Sequence, residues 1–158
     1  FLTIIIPRHT NRSDKIINDL EEFNLKVETH SSRKKISNNT DIYLVDTFGE
    51  TSNFYNLSNI SFMGGSIINH GGQNPLEAAR LGNYIINGPN ISNFKEIYDY
   101  LKKNKISYTT SNISKMRNIV LSKMNKKLSF TKRRKIFDNG NTILKKNINI
   151  IEKFIQWL

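Results

Sequence analysis

The sequence contains no cysteine, which excludes a disulfide framework and any thiolate metal site and is compatible with a reducing compartment. No apolar run approaches the roughly 18 residues that a bilayer-spanning helix needs. The two common nucleotide fingerprints, GxGxxG and GxxxxGK(S/T), are missing as well, so a nucleotide bound by this chain is held in another way. There is no internal repeat and no low-complexity tract beyond an abundance of Lys, Asn and Ile. The opening residues, Phe1 to Pro7, supply neither a start methionine nor the basic n-region of a signal peptide, and a segment of a longer protein is expected.

What the chain has is enough apolar material for a core. Over 158 residues, 37% hydrophobic and 10% aromatic content fits one folded domain and not a disordered chain. The formal net charge of +11 is unevenly placed. Phe1 to Phe94 carry eight Lys/Arg against nine Asp/Glu, whereas Lys95 to Leu158 carry sixteen against four, about +12 net. That asymmetry marks either a solvated basic face or a surface for an anionic partner, lipid or nucleic acid.

The most informative stretch runs from Phe62 to Gly82. Apolar residues lead into Gly64-Gly65, a second pair follows at Gly71-Gly72, and Asn74-Pro75-Leu76-Glu77 reads as a helix start with Asn at the N-cap, Pro at N1 and Glu at N3. Asn-Pro-x-Glu alone is what any well-capped helix looks like. Two glycine pairs directly upstream make it also a candidate phosphate loop, because glycines admit close backbone approach and a helix N-terminus favours an anion.

Thr3 to Pro7 is a short continuous apolar run, as in a strand of a parallel sheet buried on both faces. Arg8 and His9 therefore fall just past its carboxyl end, where open α/β sheets bind ligands. Cap candidates in Asn11 to Asp14 precede a helix through Glu22, with Ile16, Ile17, Leu20 and Phe23 at helical spacing. Leu25–Thr29 and Asp41–Val45 read as strands, and Asp46 to Glu50 follow the second before a short helix over Thr51–Leu57. Asn59–Phe62 and Tyr84–Ile86 are further strands, Gly88-Pro89 is a turn, and Asn93–Lys103 is an amphipathic helix with Phe94, Ile97, Tyr98 and Leu101 inward. Ile106–Thr109 reads as an edge strand. The β/α alternation predicts a Rossmann-like, doubly wound parallel sheet with helices on both faces. Beyond it Ile113, Met116, Val120 and Met124 mark one helix, and Gly140 permits a break. Ile143, Leu144, Ile148, Ile151, Phe154, Ile155 and Leu158 outline a closing helix, with Lys145, Lys146, Lys153 and Trp157 as interfacial residues. Its apolar stripe is expected to pack on this domain or on a partner domain.

Three loops, carrying Arg8, Glu50 and the glycines with Asn74 and Glu77, are thus expected at one sheet edge. A glutamate one turn into a phosphate-facing helix can accept both hydroxyl protons of a ribose diol. Pro7-Arg8-His9, Asp46-Thr-Phe-Gly-Glu50 and Gly64-Gly-Ser66 with Gly71-Gly-Gln-Asn-Pro-Leu-Glu-Ala78 closely resemble the carboxyl-terminal half of the 3-deoxy-D-manno-octulosonic acid (Kdo) transferases of lipopolysaccharide synthesis. The likeness runs from Thr3 to about Leu101 and fades into the basic tail. It implies the donor-binding half of a GT-B glycosyltransferase that takes Kdo from CMP-Kdo and adds it to a lipid A precursor. The transfer would occur at the cytoplasmic face of the bacterial inner membrane, with inversion, without a metal and without a cofactor. The absence of an Asp-x-Asp pair fits that implication.

On the same resemblance residues 1–158 form a single donor-binding domain, an α/β core to residue 110 and a basic helical tail from 111. A soluble fragment would result, with the amino-terminal acceptor domain outside this sequence. Pro7, Arg8, Gly49, Glu50, Thr51, Asn74, Pro75, Leu76 and Glu77 would contact CMP, and Arg8 would stabilise the leaving phosphate. His9, Gly65 and Ser66 would lie beside the donor, and the general base would belong to the other half. Many relatives carry His where Gln73 stands and Pro where Ala78 stands; Gln cannot be charged, so no proton transfer is assigned there. The competing readings use the tail. One is a basic nucleic-acid-binding module, disfavoured by the lack of regular aromatic platforms; the other is contact with an anionic membrane surface.

Overall fold

A computed structural model describes residues 1–155, apart from the side chains of Ile150 and Phe154; the expectations placed on Phe154, Trp157 and Leu158 lie outside the described residues. The chain folds as two compact units, residues 1–54 and 55–158. Six parallel strands divide between them as two three-stranded sheets, so the Rossmann-like α/β class read from the sequence is the observed one.

In the first unit β1 (Thr3–Ile5), α1 (Ser13–Glu21), β2 (Val27–Thr29) and β3 (Ile42–Leu44) give the strand order β1-β3-β2. Ile5 and Thr29 both pair with Leu44. The central strand is the apolar run whose residues Ile42 to Val45 are all buried, as a strand covered on both faces must be. Ile4, Ile6, Tyr43, Val45 and Phe54 form its core. Helix α1 is shorter than its periodicity implied. It ends at Glu21, and Phe23 lies beyond it in the turn, 75% exposed, so Phe23 is not a core residue.

Helix α2 (Thr51–Leu57) crosses from the first unit into the second. The second unit then builds β4 (Ile60–Phe62), α3 (Leu76–Arg80), β5 (Tyr84–Asn87), α4 (Lys95–Lys103), β6 (Ser107–Thr109), α5 (Ile113–Lys123) and α6 (Phe130–Ile155), with strand order β4-β5-β6. All four β5 residues are buried. Two buried asparagines strap the strands. The Asn83 side chain accepts from Ser61 Oγ at 2.8 Å and donates to the Tyr55 carbonyl at 2.7 Å; Asn87 accepts from Ser107 Oγ at 2.7 Å and donates to Thr109 Oγ1 at 3.1 Å. Each buried polar group thereby recovers the bonds it lost to water.

The composition boundary near residue 110 is not a structural one. Leu128 and Ile136 of the tail are buried in the same core as Ile85, Tyr98, Leu101 and Ile106. Nor does Gly140 break the last helix: α6 runs through it without interruption. A Cβ there would meet only the flexible end of the Arg80 side chain, 2.7 Å from Nη2; α6 is tied to the end of α3 by Arg133 Nε, which donates to the Arg80 carbonyl. Beyond it Ile143, Leu144, Ile148, Ile151 and Ile155 are exposed, so the stripe does not pack on this chain.

Leu101 is fully buried in this core. Leu101→Ala should destabilise the chain by about 2 to 5 kcal/mol, the cost of a buried methyl cluster plus its cavity, read as a lower urea midpoint with an unchanged slope.

Candidate functional site

The ends of the strands in the first unit carry a connected polar network. Pro7 closes β1 and leaves Arg8 and His9 exposed in a bend. After β3 the chain turns through Thr47 to Gly49, where φ is +88°, a left-handed value at which a side chain would be strained. Glu50 then stands half-buried at the start of α2. Its Oε2 accepts from Thr47 Oγ1 at 2.8 Å and lies 2.7 Å from His30 Nε2. The other ring nitrogen of His30 is 2.8 Å from the Tyr43 hydroxyl. With Nε2 donating to the carboxylate, a neutral ring accepts the tyrosine proton at Nδ1, which fixes both the ring and the carboxylate.

Asp46 pins the neighbouring loop. It accepts from the Ser31 amide at 2.8 Å and the Ser31 hydroxyl at 2.5 Å. Burial opposes its charge, but the Ser31 bonds, its own amide and nearby His30 outweigh that and hold the carboxyl below the usual range. A depressed folded pKa contributes stability that is present above the unfolded value near 3.9 and is lost as pH falls through the folded value. Asp46→Asn should therefore flatten the acid limb of a stability-against-pH curve below about pH 4, and an unchanged limb would refute the assignment.

In the second unit the glycine stretch forms one braced loop between β4 and α3. Gly65, Gly71 and Gly72 have φ of +70°, +76° and +75°. The Gly72 amide donates to the Gly65 carbonyl at 3.2 Å, so that amide is spent inside the loop. Ser66 is fully buried, with its hydroxyl donating to the Met63 carbonyl at 2.6 Å and accepting from the Gly88 amide at 2.8 Å. Its side chain is a brace within the protein. The segment after β5 holds the loop from the other side: the Asn90 amide donates to the Ser66 carbonyl, and the Asn90 and Asn93 side chains donate to the Ile67 and His70 carbonyls. From α4, the buried Tyr98 hydroxyl donates to the Gln73 carbonyl at 2.7 Å. Burial, and then Tyr55, push that phenol's pKa up, so it remains a donor.

The helix start differs in register from the sequence reading: Pro75, not Asn74, is the N-cap, so Glu77 is the second helical residue and the N-cap side chain makes no capping bond. Asn74 Oδ1 accepts from the Leu76 amide at 3.0 Å, and the Pro75 carbonyl accepts from Ala79. Yet α3 has only five residues, so its dipole is slight and any anion there depends on local amides and on the loop's fixed shape. Pro75 is buried, Leu76 half-buried, and Asn74 and Glu77 exposed. Glu77 lies close enough to Tyr55 to raise its pKa, after burial as the larger cause.

Pro7, Arg8, His9, Gly49, Glu50 and Thr51 thus belong to the first unit, and Gly65, Ser66 and Asn74 to Glu77 to the second. Sequence reasoning overlooked His30, Tyr43, Asn90 and Asn93. His30 immediately follows a parallel strand, the same positional signal that singled out Arg8 and Glu50. Nothing in the local pattern marks Asn90 or Asn93 as braces for a loop some twenty residues earlier. Among the described residues no group of three His, Asp or Glu gathers as a metal site requires.

No protein-family model matches the chain. Individual proteins do. A 3-deoxy-D-manno-octulosonic acid transferase of Rickettsia conorii is 33% identical over 96% of this chain, and one of Haemophilus influenzae is 28% identical over 99%. A bifunctional glycosyltransferase/methyltransferase of Fusobacterium nucleatum is 30% identical over 97% of the chain. These matches cover 34%, 36% and 24% of the respective relatives, so the chain spans about a third or less of their length. Among solved structures, the C-terminal CMP-Kdo binding domain of WaaA from Acinetobacter baumannii superposes with a TM-score of 0.71 at 31% identity, covering 75% of this chain and 62% of that one. The resemblance drawn from the loop motifs is borne out, and it extends past Leu101 into the basic tail.

Proposed function

We propose, for a chain whose relatives over nearly its full length are Kdo transferases, that it is the donor-binding part of such an enzyme. It holds CMP-Kdo while the remainder of the protein presents the acceptor. The observation that carries this reading is the match to a CMP-Kdo binding domain; the braced glycine loop supports it as a feature of this chain. In the complete protein the two halves would face each other as in a GT-B glycosyltransferase. Kdo would pass with inversion to a lipid A precursor at the cytoplasmic face of the inner membrane.

The residues divide the donor between them. Arg8 pairs with the phosphate of CMP, where a guanidinium can offer two parallel donors. Gly49 and Thr51 bring backbone against the nucleotide, and Glu50 is held for that purpose by Thr47 and His30. Asn74 to Glu77 contact CMP as well, Glu77 accepting from the ribose hydroxyls. Pro7 sets the direction of Arg8. His9 and Gly65 lie beside the sugar, and Ser66 contributes through the loop it braces. Breaking the sugar–phosphate bond leaves positive charge on the sugar ring and negative charge on the departing CMP. Arg8 stabilises the latter, and the acceptor hydroxyl gives its proton to a base on the other half of the protein. No metal or cofactor takes part.

Glu77→Ala should lower affinity for CMP about tenfold or more, the worth of hydrogen bonds to a charged acceptor, while barely altering affinity for 2′,3′-dideoxy-CMP. Equal losses for both ligands would place Glu77 away from the ribose. For the reading as a whole, the full-length protein is incubated with CMP-Kdo and a lipid A precursor. Release of CMP together with a Kdo-bearing lipid supports it, and CMP-Kdo left unconsumed by active, folded protein refutes it.

A further inference from the structure

The donor reading leaves the positive charge of the second unit without a role, and five of its lysines lie along β6 and its neighbours. Edge strand β6 and helix α5 enclose a groove of ≈ 370 Å³ whose walls include Lys102, Lys105, Lys115, Tyr108, Thr110 and Ile119. Tyr108, one of the lining residues, also meets a lysine: Lys123 Nζ sits 5.4 Å from the centre of its ring and 4.9 Å from that of Tyr84, and Lys132 Nζ sits 5.7 Å from Tyr84. Lys132 also donates to the Lys105 carbonyl at 3.0 Å. Burial first, and then the charges of Lys123 and Lys105, hold the Lys132 ammonium below the ordinary lysine range. Among the described residues none of these five lysines has a carboxylate partner; the ion pairs are His30–Glu50, Lys95–Asp99 and Arg134–Asp138.

Like charges brought together and fixed are unfavourable unless something of opposite sign joins them. The ring faces offset a part of that cost, but a ring leaves the positive charge in place. What they also do is hold two long, flexible side chains in position, which lowers the ordering cost of capturing an anion between them. Lysines do guard open sheet edges against pairing. A guard, however, needs no ammonium folded back over two tyrosines. Nucleic acid is a poor occupant, because single-strand binders stack bases on bare aromatic faces, and here Lys123 and Lys132 occupy those faces while Tyr84 is itself buried. Point-charge ammonium groups gathered without a carboxylate suit the several acceptor oxygens of a phosphate.

We propose that the β6–α5 groove, with the Lys123 and Lys132 ammonium groups that meet its Tyr108 and Lys105, is a second anion site that binds the phosphate of a phosphate ester. It lies on β6, whereas the glycine loop follows β4 at the far side of the same sheet, so it is separate from that loop. It does not depend on the chain's binding CMP. A phospholipid headgroup and a soluble phosphate ester share this chemistry, and the test separates them.

With ¹³C-labelled tyrosine in the 158-residue chain, inorganic phosphate and, in a second titration, glycerol 3-phosphate are added at ionic strength held constant with chloride. The Tyr84 and Tyr108 ring signals should move along saturable curves that chloride alone does not produce. In a separate arm the chain is sedimented with phosphatidylglycerol vesicles and with phosphatidylcholine vesicles. Retention on the anionic vesicles only identifies the lipid headgroup as the source; ring shifts with the small phosphates but no retention identify a soluble ester. K123Q/K132Q should weaken whichever binding is seen about thirtyfold, a factor of roughly five per ammonium. K145Q/K146Q, with the same loss of charge on exposed α6, should stay near wild type. Unmoved rings in the wild-type titration together with no vesicle retention overturn the proposal, whatever the folding of the variants. So does an equal loss in the two double variants, which would mean diffuse charge alone.

Discussion

Arg8→Ala is expected to lower kcat of the complete enzyme by about 10² to 10³, the usual consequence of removing one preorganised donor from a developing negative charge, about 2.7 to 4 kcal/mol of barrier. Arg8 is exposed just beyond β1, in a bend after Pro7. In the proposed function the same guanidinium contacts the phosphate before reaction, so affinity for CMP should fall as well, while affinity for cytidine should not. That difference separates a phosphate ligand from a residue that merely supports the fold. Arg8→Lys keeps the charge but loses the fork, and should recover only part of the loss. Wild-type turnover in Arg8→Ala, or equal losses for CMP and cytidine, would remove Arg8 from the phosphate.

Gly88→Ala is the substitution expected to damage the fold most for its size. A Cβ at position 88 would stand 2.6 Å from the Ser66 carbonyl carbon and 2.7 Å from the Ile67 nitrogen, and closer still to the Ser66 oxygen. These are backbone atoms of the glycine loop and cannot rotate away. Overpacking of this kind typically costs about 1 to 3 kcal/mol, and displacing the Gly88 amide from Ser66 Oγ adds about 1 kcal/mol. A loss of roughly 3 kcal/mol or more in urea denaturation should accompany weakened CMP binding, since Ser66 and Gly88 together set the loop. Gly64 supplies the control. Nothing lies within 4 Å of a Cβ there, so Gly64→Ala should stay within about 0.5 kcal/mol of wild type. Equal stability of the two variants would show that the Ser66–Gly88 contact does not set the loop.

The fold was legible where a local pattern and its burial coincide. Asp41–Val45 was readable as a buried strand and Tyr84–Ile86 as a strand, and both lie buried in the middle of their sheets; Thr3 to Pro7, read as a central strand buried on both faces, is instead the edge strand β1 with Thr3 exposed. Thr51–Leu57 was placed to the residue. Legibility failed where the deciding partner is distant in sequence. Gly140 looks like a helix break, yet α6 runs through it and is tied to the end of α3 by Arg133. Phe23 continues the apolar spacing of α1 but falls past its last turn. The apolar stripe of α6 follows the helical period without a partner on this chain.

The same distinction applies to the loops. Gly71 and Gly72 were picked out as a cradle for phosphate, and their left-handed φ values are what a cradle needs. Much of their conservation of space is internal, however: a Cβ on Gly71 would collide with the Asn93 side chain, and one on Gly72 would lie 3.1 Å from the Asn90 carbonyl. Glu50 was read as a first-turn carboxylate near a ligand, while its partners His30 and Thr47 became visible only once β2 and β3 were paired. A loop's ligand chemistry can be read from residue types, but its bracing depends on which strands lie side by side.

The most direct measurement is a titration of CMP into the ¹⁵N-labelled chain, followed at individual amides. Saturable shifts at Arg8, Gly49, Asn74 and Glu77, with Lys145 and Lys146 unmoved, are the predicted result, because each of these four is proposed to contact CMP. Spectra unchanged at millimolar CMP, or shifts confined to the basic tail, would contradict it.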